Sequence, residues 1–113
     1  MELTLSTKEG FTVASTKGAI DESARESFRE HLHPLVGKKG TRLIIDLSGS
    51  PRINSAGIGN LVALTADANT NDSRVVLCRP QTYVMMVISI TKLDKFFLLA
   101  PDLDAAVAKC REA

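Results

Sequence analysis

The chain has 113 residues, of which 44% are hydrophobic and 24% charged, which suits one domain with one core over residues 1–113 and argues against disorder. Its 14 basic and 13 acidic residues are interspersed and leave a net charge of +1, so no basic face for nucleic acid is expected. The longest uninterrupted apolar run, Tyr83 to Ile88, is far short of a membrane span, and Met1-Glu2-Leu3-Thr4 lacks the features of a secretory signal; a cytoplasmic location without membrane insertion is expected.

Glu2 to Thr7 and Phe11 to Lys17 alternate apolar and polar residues across the link Lys8-Glu9-Gly10, which predicts an antiparallel hairpin. Gly18-Ala19-Ile20-Asp21 turns the chain, and Asp21 is placed to cap a helix from about Glu22 to Val36. There Ala24, Phe28, Leu32 and Leu35 form one apolar stripe, and Pro34 distorts or ends the last turn. His31 and His33 are two residues apart, so on a helix they point in different directions and cannot share a metal; both read as surface residues.

The basic loop Gly37-Lys38-Lys39-Gly40 leads into a buried strand, Arg42 to Leu47. A loop with Gly49 and Pro51 follows, and then Asn54-Ser55-Ala56-Gly57-Ile58-Gly59 opens a helix to about Asn69, with Ile58, Leu61, Val62 and Thr65 on one face. Asn and Ser both cap helices, because a short side-chain oxygen can accept a first-turn N–H. If Asn54 caps, Ser55 is the first helical residue, with its hydroxyl toward solvent at the positive end of the helix dipole, where an added phosphate does not melt the fold. Gly57 and Gly59 cost helix propensity, which fits a neighbouring backbone or a partner approaching the first turn closely.

Arg74 to Cys78 is the next strand, and Arg79-Pro80 breaks it before a short helix, Gln81 to Ser89. That helix is apolar on more faces than one core contact needs, which makes Met85 and Met86 candidates for an interface. Phe96 to Leu99 is a last strand, and Asp102 caps a helix with the stripe Leu103, Ala106, Val107 and Cys110. Cys78 and Cys110 fit no metal or disulfide spacing and read as buried thiols. The order β-β-α-β-α-β-α-β-α predicts an α/β fold, a mixed and mostly parallel sheet of about five strands with an N-terminal antiparallel hairpin and about four helices.

Asp46 at a strand end is similar to the phospho-accepting aspartate of receiver domains, but the acidic pair and the Lys-Pro of that chemistry are missing at the matching places. A G-x-S-x-G elbow around Ser55 and a phosphate-cradling G-x-x-x-x-G-K-[ST] are missing too, so a non-enzymatic protein without cofactor or metal is expected.

Taken together, the early hairpin, Gly18-Ala19-Ile20-Asp21, Leu43-Ile44-Ile45-Asp46-Leu47, the stretch Asn54 to Gly59 and Leu93-Asp94-Lys95-Phe96-Phe97 resemble the STAS family, and within it the bacterial anti-sigma-factor antagonists. The resemblance implies a STAS-like fold and a switch that sequesters an anti-sigma serine kinase, is inactivated by phosphorylation of the first signature serine, here Ser55, and is restored by a PPM-type serine phosphatase. The expected partner-binding residues are Asp21, Asn54, Ser55, Ala56, Gly57, Ile58, Met85 and Met86, on a monomer or weak dimer. Two positions depart from the family signature D-S-S-G-[LI]-G: its aspartate is Asn54, and its second serine is Ala56. The alternative is an unphosphorylated STAS scaffold in a larger assembly of stressosome or lipid-transporter type.

Overall fold

A computed structural model describes residues 1–112. The first two strands, β1 (Glu2–Lys8) and β2 (Phe11–Lys17), pair antiparallel in unbroken register from Glu2 opposite Lys17 to Lys8 opposite Phe11. Their turn is the two-residue Glu9-Gly10, with φ of 51° and 87°, the left-handed geometry whose twist matches that of paired strands. Beyond it, β3 (Arg42–Gly49), β4 (Arg74–Cys78) and β5 (Leu98–Ala100) add in parallel, so the sheet order is β1-β2-β3-β4-β5.

The strand period of two sorts the core between the two faces. Ala14, Leu43, Ile45, Leu47, Val75 and Leu77 pack with α1 (Ala24–His31), α2 (His33–Val36), α3 (Ser55–Thr70) and α4 (Thr82–Ile90), whose buried residues include Phe28, Val36, Leu61, Leu64 and Ile88. On the opposite face Val13, Ile44, Val76 and Cys78 pack with Ala106, Val107 and Cys110 of α5 (Leu103–Arg111). Covered on both sides, β3 and β4 read in sequence as near-continuous apolar runs. Both cysteines are buried and unbridged, and burial pushes the Cys78 thiol up to about 12.

Several boundaries differ from expectation. The single helix over 22–36 is two, broken at Leu32, where φ reaches −112°. Pro34 has no N–H to give the preceding turn and its ring crowds the carbonyl four residues back, so the helix restarts one residue before the proline. Asp21 does not cap α1: its carboxylate accepts the Ser23 backbone N–H at 3.0 Å and the Ser23 hydroxyl, and Ala24 is the first helical residue. His33 is not free on the surface, because its Nδ1 lies 2.8 Å from Asp67 Oδ2 and ties α2 to α3, whereas His31 is exposed. Phe96 and Phe97 belong to a turn closed on the Leu93 carbonyl rather than to β5, and Phe97 is buried in the core.

Candidate phosphoacceptor and docking site

The start of α3 is fixed by the loop that follows β2. Ile20 and Ile53 form a parallel bridge: the Ile20 N–H donates to Arg52 O at 3.0 Å, and the Asn54 N–H donates to Ile20 O at 3.2 Å. Asn60, one turn into the helix, donates to the Asp21 carbonyl at 3.1 Å. The helix passes so close that a Cβ on Gly57 would sit 1.9 Å from the Ile20 oxygen. Glycine is required there by a backbone approach inside the fold. A Cβ on Gly59 would meet nothing within 4 Å.

Asn54 caps α3: its backbone is extended and its Oδ1 accepts the Gly57 N–H at 2.9 Å. The Asn54 amide also donates to Glu22 Oε2 at 3.3 Å. An aspartate could keep the cap but would face Glu22 as one carboxylate against another, so the asparagine is matched to its neighbour. With the cap supplied by residue 54, Ser55 is the first helical residue and is exposed, and no described residue hydrogen-bonds its hydroxyl. The first turn of α3 has no acidic residue, so its N-terminal N–H groups present positive potential to solvent.

A groove of about 430 Å³ opens beside Ser55, lined by Ile53, Asn54, Ser55, Ile58, Tyr83, Val87 and Thr91. Arg52 stands over the Tyr83 ring, with its guanidinium carbon 5.9 Å from the centroid. Among the residues expected to meet a partner, Asn54, Ser55 and Ala56 are exposed together. Gly57 and Ile58 are buried, because the helix turns that side onto Ile20 and the sheet; Ile58, 8% exposed, reaches only the groove floor. Asp21 is half-buried, and the Ser23 hydroxyl and backbone N–H that donate to it hold its carboxyl below the usual carboxylate value.

The two methionines do not meet at this groove. Met85 lines a separate depression with Arg79, Pro80, Leu99, Ala100 and Pro101, and Met86 is exposed on the outer side of α4. The contribution of α4 to the Ser55 groove comes instead from Tyr83, Val87 and its C-cap Thr91. Their spacing of four and four marks one helix face, a signal the uniformly apolar sequence of α4 hides. Glu22 was equally unmarked in the sequence, since only folding brings it to Asn54.

Asp46, by contrast, is engaged: Arg79 donates Nε and Nη2 to its two oxygens, and the Ser48 N–H donates to Oδ1 at 3.0 Å. Burial raises its pKa, and these hydrogen bonds outweigh that and hold the carboxyl below its ordinary value. Arg79 itself has a left-handed backbone, with φ of 54°, and its N–H donates to Ala100 O at 3.0 Å. Asp46, which the sequence placed at a strand end, lies inside β3 with Leu47, Ser48 and Gly49 after it, and is a structural anchor without the open carboxylate that an acyl phosphate needs.

The model of the STAS domain family matches residues 2–106. BtrV of Bordetella bronchiseptica, described as a candidate anti-sigma factor antagonist, is 26% identical over 113 residues, which is 100% of this chain and 97% of that protein. Among solved structures, an anti-sigma factor antagonist from Mycobacterium paratuberculosis is 27% identical with a TM-score of 0.78, over 98% of this chain and 94% of its own. The anti-sigma factor antagonist SpoIIAA in its unphosphorylated form shares the fold at 16% identity, with a TM-score of 0.72 over 99% of this chain and 100% of that one. SpoIIAA of Bacillus in the phosphorylated form gives the same TM-score at 17% identity, over 97% of this chain and 100% of its own. With five strands in the order observed and a family match over nearly its whole length, the chain belongs to the STAS domain family.

Proposed function

We propose that this protein is an anti-sigma factor antagonist: a protein-binding switch that sequesters an anti-sigma serine kinase while Ser55 is free and lets it go once Ser55 is phosphorylated, with a PPM-type phosphatase resetting it. The observation that carries the reading is the Ser55 hydroxyl, exposed and without a hydrogen bond among the described residues, on the first residue of a helix whose cap is supplied by Asn54. A phosphate there meets the free N–H groups and dipole of α3, so the fold tolerates it. About two added negative charges inside a docked face abolish docking by repulsion and by the cost of desolvating them. Glu22, held by the Asn54 amide, puts a carboxylate next to the cap although residue 54 is itself uncharged.

Incubation with the cognate kinase and ATP, followed by mass spectrometry, should place a single phosphate on Ser55. Ser55→Asp should abolish kinase binding while Ser55→Ala keeps it. Label on another residue, or none with the right kinase, refutes the switch. The apolar stripe Tyr83, Met86 and Ile90 on α4, respectively 42%, 47% and 70% exposed, supports a second reading, an architectural module in a larger assembly. In that case Ser55→Asp leaves partner binding unchanged.

A further inference from the structure

The free edge of the sheet at β1 has the features of a pairing surface. Across the sheet, β5 is blunted by its length of three residues, the usual protection of an edge. β1 has seven residues, and its middle, Leu3-Thr4-Leu5-Ser6-Thr7, contains no proline and no charge; its pairing with β2 has no bulge. Leu5 lies 46% exposed at the centre.

A two-residue turn closes on a hydrogen-bonded pair, here Lys8 and Phe11. Alternation then directs the backbone groups of Lys8, Ser6, Thr4 and Glu2 toward β2 and leaves those of Leu3, Leu5 and Thr7 at the open edge. The sequence of this edge is self-complementary about Leu5. Laid antiparallel on a second copy, Leu5 faces Leu5, Leu3 faces Thr7, Thr4 faces Ser6, and Glu2 faces Lys8 at both ends.

We propose that β1 is a homodimerisation edge, at which two copies of this chain join about a two-fold axis through Leu5 into one continuous ten-stranded sheet, registered by the two Glu2–Lys8 pairs. About six backbone hydrogen bonds form across the axis. A strand-edge contact of this kind falls below the roughly 1,200 Å² of standard interfaces, so the dimer is weak and depends on concentration. The half-buried Lys8 also reaches the exposed Asp104 of its own chain at 3.4 Å, a weak contact that the lysine can share with a second carboxylate. The proposal is independent of Ser55, and its failure would leave the switch reading standing.

Sedimentation equilibrium of the full chain over a wide concentration range should show a monomer–dimer equilibrium. Glu2→Lys or Lys8→Glu alone puts like charges at both ends and should weaken the dimer several-fold, whereas the double variant E2K/K8E should restore it. Since the double variant still loses the Lys8–Asp104 contact, its recovery isolates the pairing between chains. Leu5→Cys should oxidise to a covalent dimer, because Cα atoms of a hydrogen-bonded antiparallel pair lie about 5.5 Å apart, within reach of a disulfide. Thr4→Cys, which faces Ser6 in this register, should not, and the native cysteines are buried. A monomer at every concentration without Leu5→Cys cross-linking overturns the proposal, as does a dimer that neither charge variant weakens.

Discussion

Replacing Gly57 by alanine adds one methyl group where the N-terminus of α3 crosses the loop after β2. In a free helix the change is favourable by roughly 0.5–1 kcal/mol, because glycine loses more backbone freedom on folding. Here the new Cβ starts 1.9 Å from the Ile20 oxygen, 2.6 Å from its carbon and 2.9 Å from Ile53 Cγ1. Helix and loop must separate by about 1.5 Å before the closest contact reaches an ordinary 3.4 Å. The obstacle is backbone, which has no rotamer to change, and the separation breaks the Asn54 N–H bond to Ile20 O. Overpacking costs about 1–3 kcal/mol and the lost hydrogen bond about 1 more, so after the propensity gain the net loss is about 1–3 kcal/mol. Gly59→Ala is the internal control: with open space around its Cβ it should gain about 0.5–1 kcal/mol. Urea unfolding followed by circular dichroism measures both; at roughly 4 °C per kcal/mol for this chain length, the melting temperatures should move in opposite directions. A Gly57→Ala protein as stable as the parent would refute the close crossing that sets the position of Ser55.

Asn54→Ala removes the α3 cap and should cost about 1 kcal/mol in the same assay. Thr65, 3% exposed, has a buried hydroxyl with no hydrogen-bond partner among the described residues, so Thr65→Val should raise stability by about 1 kcal/mol or more; a loss would mean the hydroxyl is satisfied. The pKa of Asp46 is depressed in the folded state, so its contribution is fully present above the unfolded value near 3.9 and disappears as pH falls through the lower folded value. Asp46→Asn should therefore be less stable than the parent at pH 7, and the gap should close in acid; a gap independent of pH would refute the charge pairing with Arg79.

The parts of this protein legible in its sequence are those governed by local chemistry. The runs Leu43-Ile44-Ile45 and Arg74-Val75-Val76-Leu77-Cys78 announce strands buried on both faces, and their alternation with helices gives the parallel sheet. Asn54-Ser55 announces a cap at one of two adjacent residues, since a short side-chain oxygen reaching a first-turn N–H is a local contact, and the structure gives it to Asn54. Pro34 announced the disturbance, and its missing N–H and ring act locally to break the helix at Leu32.

Tertiary structure decided everything that depends on contacts between distant residues. Gly57 as a requirement of the fold comes from Ile20, the Glu22 partner of Asn54 from the loop after β2, and the Arg79 partner of Asp46 from the end of β4. Met85 and Met86 were singled out by composition, which records how apolar α4 is but not its rotation; packing against the sheet turns Tyr83, Val87 and Thr91 to the Ser55 groove instead. The sequence by itself thus determined the order of strands and helices around the parallel sheet and that α3 begins at Asn54 or Ser55, because propensity, capping and periodicity act within a few residues. Only the folded chain decided which side chains stand around that beginning, because their energies come from neighbours some thirty residues away.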